Sequence, residues 1–175
     1  GVRYDITSER NLDLLALEGE ESVSAGLGGR LSLTGSSVNV DTAIDLPAGV
    51  LSITATEGDV MVSGHLSVAG QAREFFDVTR YANAGSIGLV SRSGAVVLQE
   101  GSFVSVSADE GGGDAGTLDI KSPGGTFSLG GAIVGMALDG NISGTLALDA
   151  GSIENFDELS SVINAGGFRE ERALR

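Results

Sequence analysis

The sequence predicts an all-β fold of the β-solenoid class, a parallel β-helix with three short strands per coil and one short lateral α-helix near the C-terminus. Two observations lead there. A glycine followed by a short alternating strand recurs as Gly29-Arg30-Leu31-Ser32-Leu33, Gly49-Val50-Leu51-Ser52-Ile53, Gly85-Ser86-Ile87-Gly88-Leu89, Gly116-Thr117-Leu118-Asp119-Ile120 and Gly144-Thr145-Leu146-Ala147-Leu148. A chain that returns to one local pattern with the same apolar rows is expected to stack its copies on one another. The second observation is compositional. Of 175 residues, 28 are glycine and 2 are proline, and 41% are hydrophobic with only 5% aromatic, which suits thin layers of Val, Leu, Ile and Ala separated by tight turns.

Residues 1–28 read as an irregular first coil, with strands at Tyr4-Asp5-Ile6 and Leu12-Asp13-Leu14 and an acidic turn at Glu18-Gly19-Glu20-Glu21. Residues 29–148 read as regular coils. In the first, Leu31 and Leu33, Val38 and Val40, then Ile44 and Leu46 alternate with polar residues, three strands separated by short turns. The next offers Leu51 and Ile53, Val60 and Val62, Leu66 and Val68. The third offers Ile87 and Leu89, Val96 and Leu98, Val104 and Val106. The fourth has Leu118 and Ile120, then a turn at Pro123-Gly124-Gly125, then Phe127 and Leu129, and Val134 with Met136.

The coil starts are unevenly spaced, and the excess falls in two places. One is an insertion over 71–84 containing Phe75-Phe76-Asp77-Val78-Thr79-Arg80-Tyr81; the other is the acidic glycine loop Asp109 to Ala115. Insertions belong in loops, where extra length costs little. Over 155–165, Asn155 and Glu158 resemble a capping box, and Phe156, Leu159, Val162 and Ile163 recur at helical spacing, so a helix is expected to pack by that face. Residues 168–175 read as the start of a truncated coil. The whole of 1–175 is expected to be a single segment, and its uncovered ends invite end-to-end association.

The net charge is −14, Lys121 is the only lysine, and the nine arginines are scattered, so no basic footprint for nucleic acid or anionic membrane is present. No stretch is long and apolar enough to span a bilayer, and Gly1-Val2-Arg3-Tyr4 lacks signal-peptide character, which places any export signal outside these residues. With no cysteine, the chain has no disulfide framework, thiol nucleophile or cysteine-ligated metal. His65 is the only histidine, which rules out a histidine cluster, and it reads as an outward strand residue. Serines are expected at turns and on outward strand positions.

Three constellations carry candidate chemistry. Phe75, Phe76, Arg80 and Tyr81 form a candidate surface recognition loop able to stack on sugar rings, with the competing and favoured expectation that the loop folds back and buries Phe75 or Phe76 as a lid. Asp109, Glu110 and Asp114 are a weak calcium candidate, a single poorly matched copy of a calcium-binding repeat; no other cofactor is expected. Asp41, Asp45, Glu57, Asp59 and Asp119 would be the carboxylates of a polysaccharide-cleaving site, but they do not fall on equivalent positions of neighbouring coils, and the chain is read as no enzyme.

The glycine-led strands, the Phe75-Phe76-Asp77 to Arg80-Tyr81 insertion before Ala84-Gly85-Ser86-Ile87, the Gly112-Gly113-Asp114-Ala115-Gly116-Thr117-Leu118 turn, and the tail from Leu148-Asp149-Ala150-Gly151-Ser152 to Ile163-Asn164-Ala165-Gly166-Gly167-Phe168 resemble the filamentous haemagglutinin family of large bacterial exoproteins. The resemblance covers most of the chain from Gly29 onward. It implies a right-handed β-helix exported by two-partner secretion through an outer-membrane transporter, extracellular or on the bacterial cell surface. The implied role is a structural shaft segment of an adhesin-type exoprotein, with a host or bacterial surface receptor or glycan as partner. The alternatives are a polysaccharide-binding or polysaccharide-cleaving β-helix, or a passive stalk that delivers a terminal toxin domain. The family's secretion-recognition segment is not visible in this sequence, and the resemblance brings no catalytic residues.

Overall fold

The computed structural model describes residues 1–16 and 22–175. The acidic turn expected at Glu18-Gly19-Glu20-Glu21 lies outside the described residues. Strands dominate: β1 (Arg3–Thr7), β2 (Leu12–Leu15), β3 (Ser22–Ser24), β4 (Arg30–Gly35), β5 (Val38–Asp41), β6 (Ala43–Asp45), β7 (Val50–Ala55), β8 (Val60–Val62), β9 (His65–Ser67), β10 (Gln71–Phe75), β11 (Val78–Ala82), β12 (Ser86–Ser91), β13 (Val96–Leu98), β14 (Phe103–Ser105), β15 (Thr117–Leu129), β16 (Ala132–Val134), β17 (Thr145–Ile153) and β18 (Glu171–Leu174). One helix, α1 (Phe156–Ala165), lies between the last two strands.

The sheet order corrects the expected architecture. Nine strands form one hydrogen-bonded path, β1-β4-β7-β12-β15-β13-β8-β5-β2, which folds back on itself at β15 as a nearly closed parallel barrel. β17 joins this sheet alongside β15, and β18 alongside β17. A separate parallel sheet runs β16-β14-β9-β6-β3, and β10 and β11 form an antiparallel pair. The right-handed β-helix with three short strands in every coil is therefore not what the chain builds.

The decisive element is β15. Its 13 residues stay extended through Pro123-Gly124-Gly125, where the sequence reading places a turn, so one strand pairs with β12 through its first half and with β13 through its second. The register against β17 shifts between Ser122 and Thr126, an irregularity of the kind that admits proline inside a sheet. Two groups of strands expected as separate faces are thereby fused into one sheet. In the following repeat β17 is again a single long strand, and α1 packs on β16 in place of a further strand.

Within this sheet the repeated apolar pairs lie directly over one another. Leu31, Leu51, Ile87, Leu118 and Leu146 share one register column, and Leu33, Ile53, Leu89, Ile120 and Leu148 the next, all buried. Val38, Val60, Val96 and Phe127 face them from the other arm, and Ile44, Leu66, Val104 and Ile133 close the core from the second parallel sheet. Removing these continuous rows from water is the main favourable term holding the layers together.

Several local readings change. In β16 the inward residue is Ile133, whereas Met136 is exposed. Asn155 adopts a left-handed conformation and its side chain makes no capping bond, so the Asn155–Glu158 capping box does not form. Leu159 and Ile163 are the buried residues of α1, while Phe156 faces solvent. Phe168 is fully buried, its ring lying where a Cβ on Gly135 or Gly144 would sit 2.8 Å and 3.0 Å from ring carbons. Four serines expected on the outside, Ser91, Ser102, Ser105 and Ser122, are buried. Ser91 earns its position: its hydroxyl donates to the Gly58 carbonyl at 2.8 Å and accepts from the Gly94 N–H at 2.9 Å, bracing the corner after β12. No helix among the described residues is long and apolar enough to cross a membrane.

Candidate recognition hairpin

The insertion folds as a two-stranded hairpin because Phe75, Val78, Thr79 and Tyr81 favour extended backbone and only Phe76 and Asp77 separate the paired ends Phe75 and Val78. Phe76 takes φ 56°, at a turn position where hairpins usually place glycine. A bulky aromatic in this region is strained, and such outliers concentrate at functional sites.

The hairpin projects and does not fold back. Phe76 is completely exposed, Phe75 is 60% exposed, and Val78 and Tyr81 are also open to solvent, so the lid expectation is corrected. The register places Arg73 opposite Arg80, and strand alternation puts this pair on the same face as Phe75 and Val78. Like charges directly opposite one another are unfavourable, and neither guanidinium has an ion-pair partner among the described residues. Arg73 was missed because only the cross-strand register, not the sequence spacing, brings it to Arg80.

Tyr81 lies on the opposite hairpin face and anchors it. Its ring covers the backbone of Gly111 and Gly112, and a Cβ on Gly112 would stand 3.1 Å from the ring. Gly112 and Gly113 have φ 151° and 90°, so the loop can follow the ring only with glycine there.

The acidic glycine loop proves to be the hairpin's support. Asp109 accepts hydrogen bonds from the Ala72 N–H and the Gly111 N–H, each at 2.9 Å. Asp114 accepts from the Asn83 side-chain amide at 3.1 Å and the Ile142 N–H at 3.0 Å, while its own N–H donates to Asn83 Oδ1 at 3.0 Å. Glu110 is exposed. The described residues contain no group of three or more potential ligands for a metal ion. The two aspartates accept from peptide N–H groups, and Asp114 also from the Asn83 amide, charge-assisted bonds that tie the loop to the hairpin base. Asp114→Ala is expected to speed hydrogen exchange of the Ile142 amide and to cost about 1–2 kcal/mol in a denaturant titration, whereas Asp114→Asn, which keeps an acceptor oxygen, costs less.

The remaining candidate carboxylates are dispersed. Asp41 accepts from the Ser63 hydroxyl at 2.8 Å, Asp59 from the Ala95 N–H at 2.7 Å, and Asp119 pairs with Lys121 at 2.6 Å; Asp45 and Glu57 are exposed. They sit on different strands and turns and do not converge on one cleft. His65 is exposed, with its ring edge-on to Phe103 at 5.9 Å.

Comparison with protein-family models, with curated proteins and with solved structures finds no match.

Proposed function

We propose that this chain is a structural segment of an adhesin-type bacterial exoprotein, extracellular or on the cell surface, in which the stacked strands form a stiff support and the β10–β11 hairpin is the contact element. The observation that carries this reading is the hairpin tip: Phe76 fully exposed in a strained conformation, beside Phe75, Val78 and the cross-strand Arg73–Arg80 couple, on a base fastened by Asp109, Asp114 and Tyr81. Exposed aromatics next to guanidinium groups suit acidic or aromatic-stacking partners such as a surface glycan. A rigid base limits the ordering cost of binding. The adhesive role follows the family resemblance, and the exposure of the hairpin tip supports reading it as the contact element.

Labelled chain applied to an array of host and bacterial surface glycans is expected to bind. Phe76→Ser and Arg80→Ala are each expected to reduce that binding about tenfold. Both side chains are exposed, so the melting temperature should not move. Binding that survives both substitutions, or no binding on the array and none to intact cells, would contradict the assignment of recognition to this hairpin.

A further inference from the structure

The loop between β16 and β17, residues 135–144, holds Asn141-Ile142-Ser143. Asparagine followed at the second position by a hydroxyl residue, with no proline between them, is the acceptor pattern for N-linked sugars, and it carries meaning where the asparagine sits on a surface loop. The chain has six asparagines, and Asn141 is the only one with serine or threonine at that offset. The fold supplies the required context. Residues 138–141 form a tight turn, closed by the Asn141 N–H donating to the Leu138 carbonyl at 3.0 Å, with Gly140 at φ 94°. Asn141 stands exposed on this turn. The side chains of Asn11, Asn83 and Asn164 are hydrogen-bonded to Ser36, Asp114 and Arg172, whereas the Asn141 amide makes no hydrogen bond among the described residues. The residue between acceptor and hydroxyl is fixed: the Ile142 N–H donates to Asp114 at 3.0 Å, and the Ile142 carbonyl accepts from the Ala115 N–H at 2.9 Å. The backbone behind the acceptor is thus tied to the neighbouring layer while the amide faces solvent.

We propose that Asn141 is a site of N-linked glycosylation, accepting a hexose or oligosaccharide delivered as an activated sugar diphosphate. Asn141 Nδ2 forms a bond to the anomeric carbon, the bond from that carbon to the diphosphate oxygen breaks, its electron pair leaves with the diphosphate, and one amide proton passes to a base on the transferase. The surroundings fit such a modification. Met136, Leu138 and Ile142 are exposed apolar residues crowded into this one loop. Beside them lies an open depression of ≈ 430 Å³ lined by Ala108, Glu110, Met136 and Leu138. A bulky, hydrated glycan on Asn141 would lie over apolar side chains that the described chain leaves open to water. The site is separate from the hairpin tip and stands whether or not that tip binds a partner.

Transfer to the folded, purified chain tests this. One arm uses an asparagine glycosyltransferase with a nucleotide-activated hexose, the other a membrane oligosaccharyltransferase with a lipid-linked oligosaccharide, and the tryptic peptide covering 122–169 is sequenced by mass spectrometry. A glycan is expected on Asn141 in at least one arm, which identifies the class of donor, with Asn155 and Asn164 of the same peptide unmodified. Asn141→Gln and Ser143→Ala are each expected to abolish transfer, and Ser143→Thr to retain it. Asn141→Gln is expected to melt at the temperature of the unsubstituted chain, which separates loss of the acceptor from loss of the fold. An unmodified chain in both arms, while a synthetic acceptor peptide is modified in each, or transfer that persists in Ser143→Ala, would overturn the proposal.

Discussion

Gly85→Ala is expected to lower the melting temperature by about 6–12 °C, the equivalent of about 3 kcal/mol in a chain of this size. A methyl group at position 85 would overlap the carbonyl oxygen of Gly49 in the strand layer below. That carbonyl accepts the Ser86 N–H at 3.0 Å, so it cannot swing away without breaking the ladder. The same conflict recurs one layer on, where a Cβ on Gly116 would overlap the Gly85 carbonyl. At positions 49, 85 and 116 the repeated glycine is therefore required by close approach between layers, a different reason from turn flexibility. Gly88→Ala, three residues on in β12, provides the control, because nothing lies within 4 Å of a Cβ there and φ is not positive. It is expected to leave stability unchanged or raise it by about 0.5–1 kcal/mol, since alanine loses less backbone entropy on folding. Differential scanning calorimetry of the two variants separates them.

Phe127→Ala is expected to cost about 3–5 kcal/mol, and Phe127→Leu clearly less, in a urea titration. Phe127 is 1% exposed and sits in the second half of β15, in register with Val96 of β13 and Ile153 of β17. Truncation leaves a cavity where the main sheet folds back, and the flanking backbone is held in ladders on both sides, which prevents collapse into the gap. Equal losses for the alanine and leucine variants would mean that this side chain does not fill a closed interior.

The strands were readable from the sequence wherever apolar residues alternate over a polar partner, as at Leu31 and Leu33 or Ile87 and Leu89, since one buried face imposes that period. How the strands join was not. Pro123-Gly124-Gly125 carries turn chemistry, but at that point the neighbouring strand β17 offers a shifted register that keeps the chain extended, a non-local effect invisible in the residues themselves. The same limit applies to the buried serines: Ser91 is internal because Gly58, distant in sequence, brings its carbonyl to the hydroxyl, in addition to the local Gly94 N–H. At the candidate site, the aromatic cluster was legible as a cluster, yet its direction was not. Whether Phe76 points to solvent depends on the two-residue turn and on Tyr81 being held down by Gly111 and Gly112, contacts that only the fold assembles. Asp109 and Asp114 show a further limit: their carboxylate pattern was legible, but the backbone N–H groups they accept from, Ala72 and Ile142, are brought to them only by the fold.

The central claim is that the repeats stack as parallel strands in fixed register along the main sheet, and a pair of spin labels measures it. The chain has no cysteine, so Asp5→Cys and Ala147→Cys create the only two attachment points, both on outward positions of one register column. Five interstrand steps separate them, which predicts a Cα–Cα distance of about 24 Å by dipolar spectroscopy, with a narrow distribution once label length is allowed for. A broad distribution, or a mean far from that value, would contradict the stacking.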